Sequence, residues 1–276
     1  VPKTGGGGVV AMNYVNNRPR DGYTVLSITP THLFAIARGQ GPLTIDDLVD
    51  FTPEIRQLAV EAVEGFRLGP LFTPQMLAGT IMRPSVGGGA NWSGAAVDPE
   101  TGVLYVPSVN AYSTIGISAP EPHEQQSTLN YIRRSLSAGP VMPRGLPLWK
   151  PPYSRMTAID MNTGDHAWMT PTGNGDRIRN HPMLRDLDLP PLGGDAGRTG
   201  SLLTRTLLIH ALVAGGSDGG PRLVAYDKAT GAELASLDLP GGALGAPMTY
   251  LLDGRQHIAL TVGGEVSGLV AFRLPE

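Results

Sequence analysis

The spacing of apolar and polar positions changes character near residue 54. Before it, short strand-like and helix-like stretches alternate. Tyr23-Thr24-Val25-Leu26-Ser27-Ile28 follows the turn Asp21-Gly22 and reads as a short buried strand. Residues 9–16 follow the run Gly5-Gly6-Gly7-Gly8 and have helical character, as do residues 31–38. Thr44 followed by Asp46 and Asp47 is an N-cap with acidic residues in the first turn. Strand, glycine turn, helix and strand form an α/β rhythm. Over residues 54–66, Ile55, Leu58, Ala59, Ala62, Val63 and Phe66 recur at helical spacing and predict one amphipathic helix. Beyond it come short apolar runs separated by turn signals, at residues 103–106, 156–159, 223–226, 233–239, 257–262 and 267–274. That is an all-β pattern with long loops.

The β region carries a repeat. Asp-x-x-Thr-Gly begins at Asp98, Asp160 and Asp227, at intervals of 62 and 67 residues. The second and third copies share a longer form, Ala158-Ile159-Asp160 and Ala225-Tyr226-Asp227, each preceded by further β-forming residues. An Asp that accepts backbone amides, followed by a Gly able to take positive φ, makes a tight hairpin. One hairpin recurring with its flanking apolar residues predicts a radial array of sheets with insertions.

Composition narrows the chemistry. Gly and Pro number 37 and 25 among 276 residues, which favours turns over long helices. There is no Cys, so disulfides, thiolate metal sites and Cys nucleophiles are excluded. Twenty-one Lys and Arg against 24 Asp and Glu give a net charge of -3 and no basic field for nucleic acid. No apolar run approaches the ~18 residues of a membrane span. The chain starts at Val1 and shows no signal peptide. The six His show no metal-ligand spacing, and His181, before Pro182 in a charged loop, reads as a surface residue. Asp160 and Asp227 are assigned to hairpins rather than catalysis.

Several segments in order resemble the quinoprotein dehydrogenases. Residues 158–168, from Ala158-Ile159-Asp160 to Ala167-Trp168, resemble that family's tryptophan-docking motif. Gly88-Gly89-Ala90-Asn91-Trp92-Ser93-Gly94 resembles its G-G-x-N-W-x-G segment, and Gly145-Leu146-Pro147-Leu148-Trp149-Lys150-Pro151-Pro152-Tyr153 its G-L-P-x-x-K-P-P-Y. Asp176-Arg177-Ile178-Arg179-Asn180-His181-Pro182 and Gly245-Ala246-Pro247-Met248-Thr249-Tyr250 agree as well. Residues 1–53 instead resemble the early lobe of tripartite tricarboxylate transporter solute-binding proteins, in Gly5-Gly6-Gly7-Gly8-Val9-Val10-Ala11-Met12-Asn13-Tyr14-Val15 and Asp47-Leu48-Val49-Asp50-Phe51-Thr52-Pro53. The expected organisation is therefore a short α/β fragment over 1–53 and a partial β-propeller over 54–276, mainly β.

These resemblances imply a dehydrogenase that uses pyrroloquinoline quinone (PQQ) and calcium to oxidise a sugar or alcohol hydroxyl in the periplasm. They imply that Asn91 hydrogen-bonds the cofactor, that Trp92 is a stacking or blade residue, and that Lys150 offers a cation to the cofactor's acid groups. The family's calcium ligands and catalytic carboxylate correspond to no segment here, so the expected activity is that of an incomplete or weakly active fragment, with a second chain completing the propeller. The alternative is a non-catalytic carboxylate-binding or scaffold protein of the solute-receptor type.

Overall fold

The computed structural model describes residues 42–70, 73–90, 93–120, 130–135 and 139–273. The expected strand at residues 23–28 and the glycine run lie outside these residues, as do Asn91 and Trp92.

The described part opens with a single 3-10 turn, Ile45–Asp47. Thr44 caps it with a reciprocal box: the Thr44 hydroxyl accepts from Asp46 N–H at 3.2 Å, and the Thr44 amide donates to Asp47 Oδ2 at 2.8 Å. Helix α1 follows at Pro53–Ala62, with Thr52 as N-cap and Pro at its first position. It ends about a turn earlier than the apolar spacing predicts. Gly65 takes φ 82° beyond it, and Phe66 leaves the helix axis while still packing on the same cluster. Ile55 and Ala59 are buried with Leu43, Leu48, Val49, Trp149 and Leu184. Leu48 bridges to Trp149, and Val49 N–H donates to Leu148 O at 2.9 Å. Packing therefore runs through residue 53 without a break.

The remaining elements are strands. They are β1 (Thr80–Met82), β2 (Ala96–Asp98), β3 (Val103–Val109), β4 (Ser113–Ser118), β5 (Ile132–Ser135), β6 (Ser154–Asp160) and β7 (His166–Pro171). After the single turn α2 (Asp176–Arg179) come β8 (Ala196–Leu203), β9 (Leu207–Leu212), β10 (Arg222–Asp227) and β11 (Glu233–Asp238). The last are β12 (Gly242–Ala243), β13 (Met248–Leu252), β14 (Arg255–Gly263) and β15 (Gly268–Arg273). Strands β2-β3-β6-β7 form one antiparallel sheet and β8-β9-β10-β11 a second. In the third, β12 and β13 lie along one edge of β14 and β15 along the other. Strands β1-β4-β5 make a separate three-stranded sheet, in which β1, from before the first large sheet, pairs with β4 of the long excursion between β3 and β6. The chain is mainly β, with the stacked sheets of a partial propeller, as the hairpin repeat predicts.

All three repeated hairpins have the expected geometry. The Gly amide returns to the Asp carbonyl at 2.8, 2.7 and 2.8 Å in the Asp98, Asp160 and Asp227 turns, and Gly102, Gly164 and Gly231 have φ of 72°, 83° and 74°. Each Asp Oδ1 accepts the amide two residues on, from Glu100, Asn162 and Ala229.

Alternation along the strands explains why the sheets stack. Tyr105, Met156 and Ala158 of the first sheet meet Leu208, Leu212, Val224 and Tyr226 of the second. The opposite face of the second sheet, through Ile209, Ala211 and Leu223, meets Leu260 and Val262 of the third. A direct lock joins the first two sheets. Tyr105 OH and Trp168 Nε1–H both donate to the Lys228 carbonyl, at 3.0 and 3.1 Å, and Lys228 Nζ donates to Asp98 Oδ2 at 2.6 Å. Trp168 packs between sheets, as its motif predicts.

Candidate functional site

The first strands of the three sheets approach one another closely. A Cβ added to Gly200 in β8 would lie 2.6 Å from Ala246 Cβ and 3.4 Å from Ser93 O. Ser93 directly follows Asn91-Trp92 in the chain, so the sequence segment expected to meet the cofactor enters the described residues where these strands converge.

Lys150 stands elsewhere. Its amide donates to Asp47 O at 2.9 Å, and its ammonium pairs with Asp50 Oδ2 at 2.6 Å, both side chains being partly exposed. Asp98 and Asp227 serve their hairpins; Lys228 beside Asp98 pulls that carboxyl down to about 2. Asp160 likewise accepts amides within its turn. His210, fully buried on the face of the second sheet that meets the first, is held at Nδ1 by Ser201 Oγ at 3.0 Å. Burial pushes its pKa down to about 4, against a smaller opposing effect of the Gly200 backbone.

A cleft of about 580 Å³ opens at the end of the first two sheets where β3 finishes and β8 begins, opposite the repeated hairpins. Pro147 and Ile178 supply apolar wall; Arg144, Arg177, His181 and Tyr153 supply polar groups. Local structure places each of them. Ser154, at the start of β6, is the hub beneath: its hydroxyl accepts from Gly194 N–H at 2.7 Å and from Thr172 Oγ1 at 2.6 Å, tying β6, the end of β7 and the approach to β8. Tyr153 is fixed by its own backbone, donating to Leu192 O and accepting from Asn110 N–H, both at 2.8 Å. Its hydroxyl is buried and makes no hydrogen bond among the described residues. Burial, with a smaller effect from Tyr112, raises its pKa well above the usual phenol range, so it stands as a neutral donor.

His181 joins the two walls. Its Nδ1 accepts from Met183 N–H at 3.1 Å, which assigns the proton to Nε2, and Nε2 lies 3.2 Å from Arg144 O. That contact holds Arg144 at φ 54°, a left-handed conformation costing a non-Gly residue about 1–2 kcal/mol. His181 is thus a half-buried strap and not the free surface residue expected from its charged loop. The Arg144 and Arg177 guanidinium groups are exposed, and neither is in an ion pair among the described residues. The nearby acids are engaged: Asp195 is buried, accepts from Gly175 N–H at 2.9 Å and feels the charges of Arg222 and Arg177, and Asp176 faces Arg179 at 3.5 Å. No local spacing announces this cleft, because its polar residues come from two segments, 144–153 and 177–181, that are separate in the chain.

Radially stacked four-stranded sheets, locked by a repeated hairpin and a docked Trp, define the β-propeller class. The family described as PQQ glucose/ethanol/alcohol dehydrogenase, beta-propeller domain, matches residues 19–258, and the chain belongs to it. Among its relatives, the quinoprotein glucose dehydrogenase of Escherichia coli (strain K12) is 26% identical, over 98% of this chain and 34% of that protein. A probable quinate dehydrogenase (quinone) of Xanthomonas campestris pv. juglandis is 25% identical, over 86% of this chain and 32% of that protein. The crystal structure of quinohemoprotein alcohol dehydrogenase from Comamonas testosteroni is 21% identical, with TM-score 0.45, over 71% of this chain and 27% of that one. The chain spans about a third of the length of the curated relatives it matches.

PQQ is a flat tri-acid, and the donor set of the cleft suits acid groups: two exposed guanidinium groups outside any ion pair and a buried phenol without an acceptor, all among the described residues. Calcium is not matched in this way. Among the described residues no three His, Asp or Glu side chains converge.

Proposed function

We propose that this chain is a section of a PQQ-dependent dehydrogenase propeller and supplies one wall of a site that oxidises a hydroxyl of a sugar or alcohol. The observation that carries this reading is the family match over residues 19–258, on sheets that stack as blades. The chemistry supplied by PQQ when bound is two-electron oxidation of a hydroxyl-bearing carbon. The chain's own residues bind and orient. Asn91 would hydrogen-bond the cofactor, and Trp92 would stack on it or pack between blades. Lys150 takes a cofactor acid group only by releasing Asp50. The calcium ligands and the base that takes the substrate proton belong to parts of the propeller outside this chain, so turnover by this chain alone is weak or absent, and a second chain or further blades complete the ring. The periplasm is the compartment this reading implies. Among the described residues no helix is long and apolar enough to cross a membrane.

The α/β reading of residues 1–53, of solute-binding-protein type, rests on sequence motifs. The family match from residue 19, and the burial of Leu43, Leu48 and Val49 beside Ile55, support grouping residues 42–53 with the propeller part. The test of the main reading is a PQQ titration of the purified chain followed by tryptophan fluorescence. Saturable quenching is expected, weakened at least about tenfold in Asn91→Ala, which corresponds to about 1.4 kcal/mol. No saturable binding, or an unchanged Asn91→Ala titration, sinks the assignment.

A further inference from the structure

We infer that the cleft between the 143–153 segment and α2 is a carboxylate-binding site built on Arg144, Arg177 and Tyr153. Three features of the cleft carry this. Its charged lining is wholly basic, and the nearest acids, Asp176 and Asp195, are engaged with Arg179 and the Gly175 amide. Tyr153 lines the cleft, and its buried hydroxyl has no acceptor among the described residues, a donor that an oxygen-rich ligand would satisfy. The walls are also fastened before any ligand arrives. His181 holds Arg144 in its left-handed conformation, and Ser154 pins the floor, so the ordering cost of binding is reduced. A guanidinium recognises a carboxylate by paired, charge-assisted hydrogen bonds, and Arg stays charged at every working pH. A neutral sugar gains little from two such groups.

Two sources supply this chemistry: a hydroxy-acid substrate, or the acid groups of PQQ. The substrate source deepens the proposed dehydrogenase reading from sugars and alcohols to hydroxy acids and rests on it; the cleft itself does not. The site also differs from the expectation for Lys150, whose ammonium already has Asp50 at 2.6 Å.

The test is calorimetric titration of the metal-free chain with quinate, PQQ and glucose, one at a time. The proteins are wild type, Arg144→Gln/Arg177→Gln, Tyr153→Phe and, as control, Lys150→Gln. Thermal unfolding of each verifies that it is folded. Quinate, PQQ or both are expected to bind wild type, at least about tenfold weaker in the double Arg variant and unchanged in Lys150→Gln. Higher salt weakens that binding, and Tyr153→Phe lowers it by a smaller factor. Arg dependence of quinate alone assigns the substrate as source; Arg dependence of PQQ assigns the cofactor. The inference is overturned if neither acid binds wild type, if the acids bind the double variant undiminished, or if glucose shows the same Arg dependence. PQQ binding that ignores both Arg residues, with no quinate binding, leaves the dehydrogenase reading standing and removes this one. Arg-dependent quinate binding without PQQ binding does the reverse.

Discussion

Replacing Gly231 by Ala tests how the first two sheets are held together. Gly231 closes the Asp227 hairpin at φ 74°, and the Trp168 indole lies on it. A Cβ there would sit 2.5, 2.7 and 2.9 Å from Trp168 Cε3, Cζ3 and Cδ2, well inside carbon–carbon contact distance. Two costs add. A left-handed Ala costs about 1–2 kcal/mol. Overpacking a closed contact costs about 1–3 kcal/mol more, because the ring moves only by loosening its hydrogen bond to Lys228 O. Gly164 is the internal control: it holds the same hairpin position at φ 83°, but a Cβ there meets nothing within 4 Å. Gly164→Ala therefore measures the backbone cost alone. Urea unfolding at constant m-value should place Gly231→Ala below Gly164→Ala by about 1–3 kcal/mol. In thermal unfolding each kcal/mol corresponds to about 2–4 °C at this chain length. Equal losses for the two variants would refute the docking of Trp168 as a source of inter-sheet stability.

Protonation of His210 should make stability fall with pH. Its folded pKa of about 4 lies below the ordinary 6.5, so the unfolded chain binds more protons between those values; the contribution, roughly 3 kcal/mol at full extent, is present above pH 6.5 and lost as pH falls to 4, and His210→Gln should flatten the urea-midpoint profile in that window. Lys228→Met leaves the Asp98 carboxylate facing an apolar side chain and should destabilise the chain at pH 7, the difference from wild type shrinking as pH falls below about 4 and disappearing only below about 2, once Asp98 is protonated in both; a constant difference down to that range would count against the ion pair. Leu269→Asp, on the open face of the third sheet, should leave thermal unfolding nearly unchanged while reducing concentration-dependent association in sedimentation velocity; association that persists undiminished would place the contact elsewhere.

The hairpins were legible because their chemistry is local: the Asp acceptor and the left-handed Gly sit four residues apart, and three copies turned weak turn signals into one pattern. Trp168 was legible for the same reason, since its motif starts at the hairpin Asp160. Strand β8, Ala196-Gly197-Arg198-Thr199-Gly200-Ser201-Leu202-Leu203, was not. Its two glycines interrupt any alternation, and Gly200 is there because a neighbouring backbone leaves no room for a side chain. Strand β9, Leu207-Leu208-Ile209-His210-Ala211-Leu212, is apolar on both faces because sheets cover both, so no period marks it. The small sheet β1-β4-β5 pairs residues from 14 to 35 positions apart, a relation that no short window holds. The cleft was invisible for the same reason. Arg144, Tyr153 and Arg177 converge only because Ser154 and His181 bind their segments together, and a His with both nitrogens engaged reads in sequence like any surface His.

The faces of the three sheets argue how the section fits into something larger. The face of the first sheet toward the second, and that of the second toward the third, are filled by Tyr105, Met156 and Ala158 and by Ile209, Ala211 and Leu223, all buried. The third sheet has an equivalent face. By register it carries Met248, Tyr250 and Leu252 from β13, Arg255, His257, Ala259 and Thr261 from β14, and Leu269, Ala271 and Arg273 from β15. There Met248, Leu252 and Leu269 are 54%, 53% and 71% exposed. This face thus mixes the exposed apolar side chains Met248, Leu252 and Leu269 with the polar and charged Arg255, His257, Thr261 and Arg273. It has neither the sealed apolar character of the two preceding faces nor the full polar alternation of a solvated one, and its three apolar positions are those at which another sheet would gain most by packing.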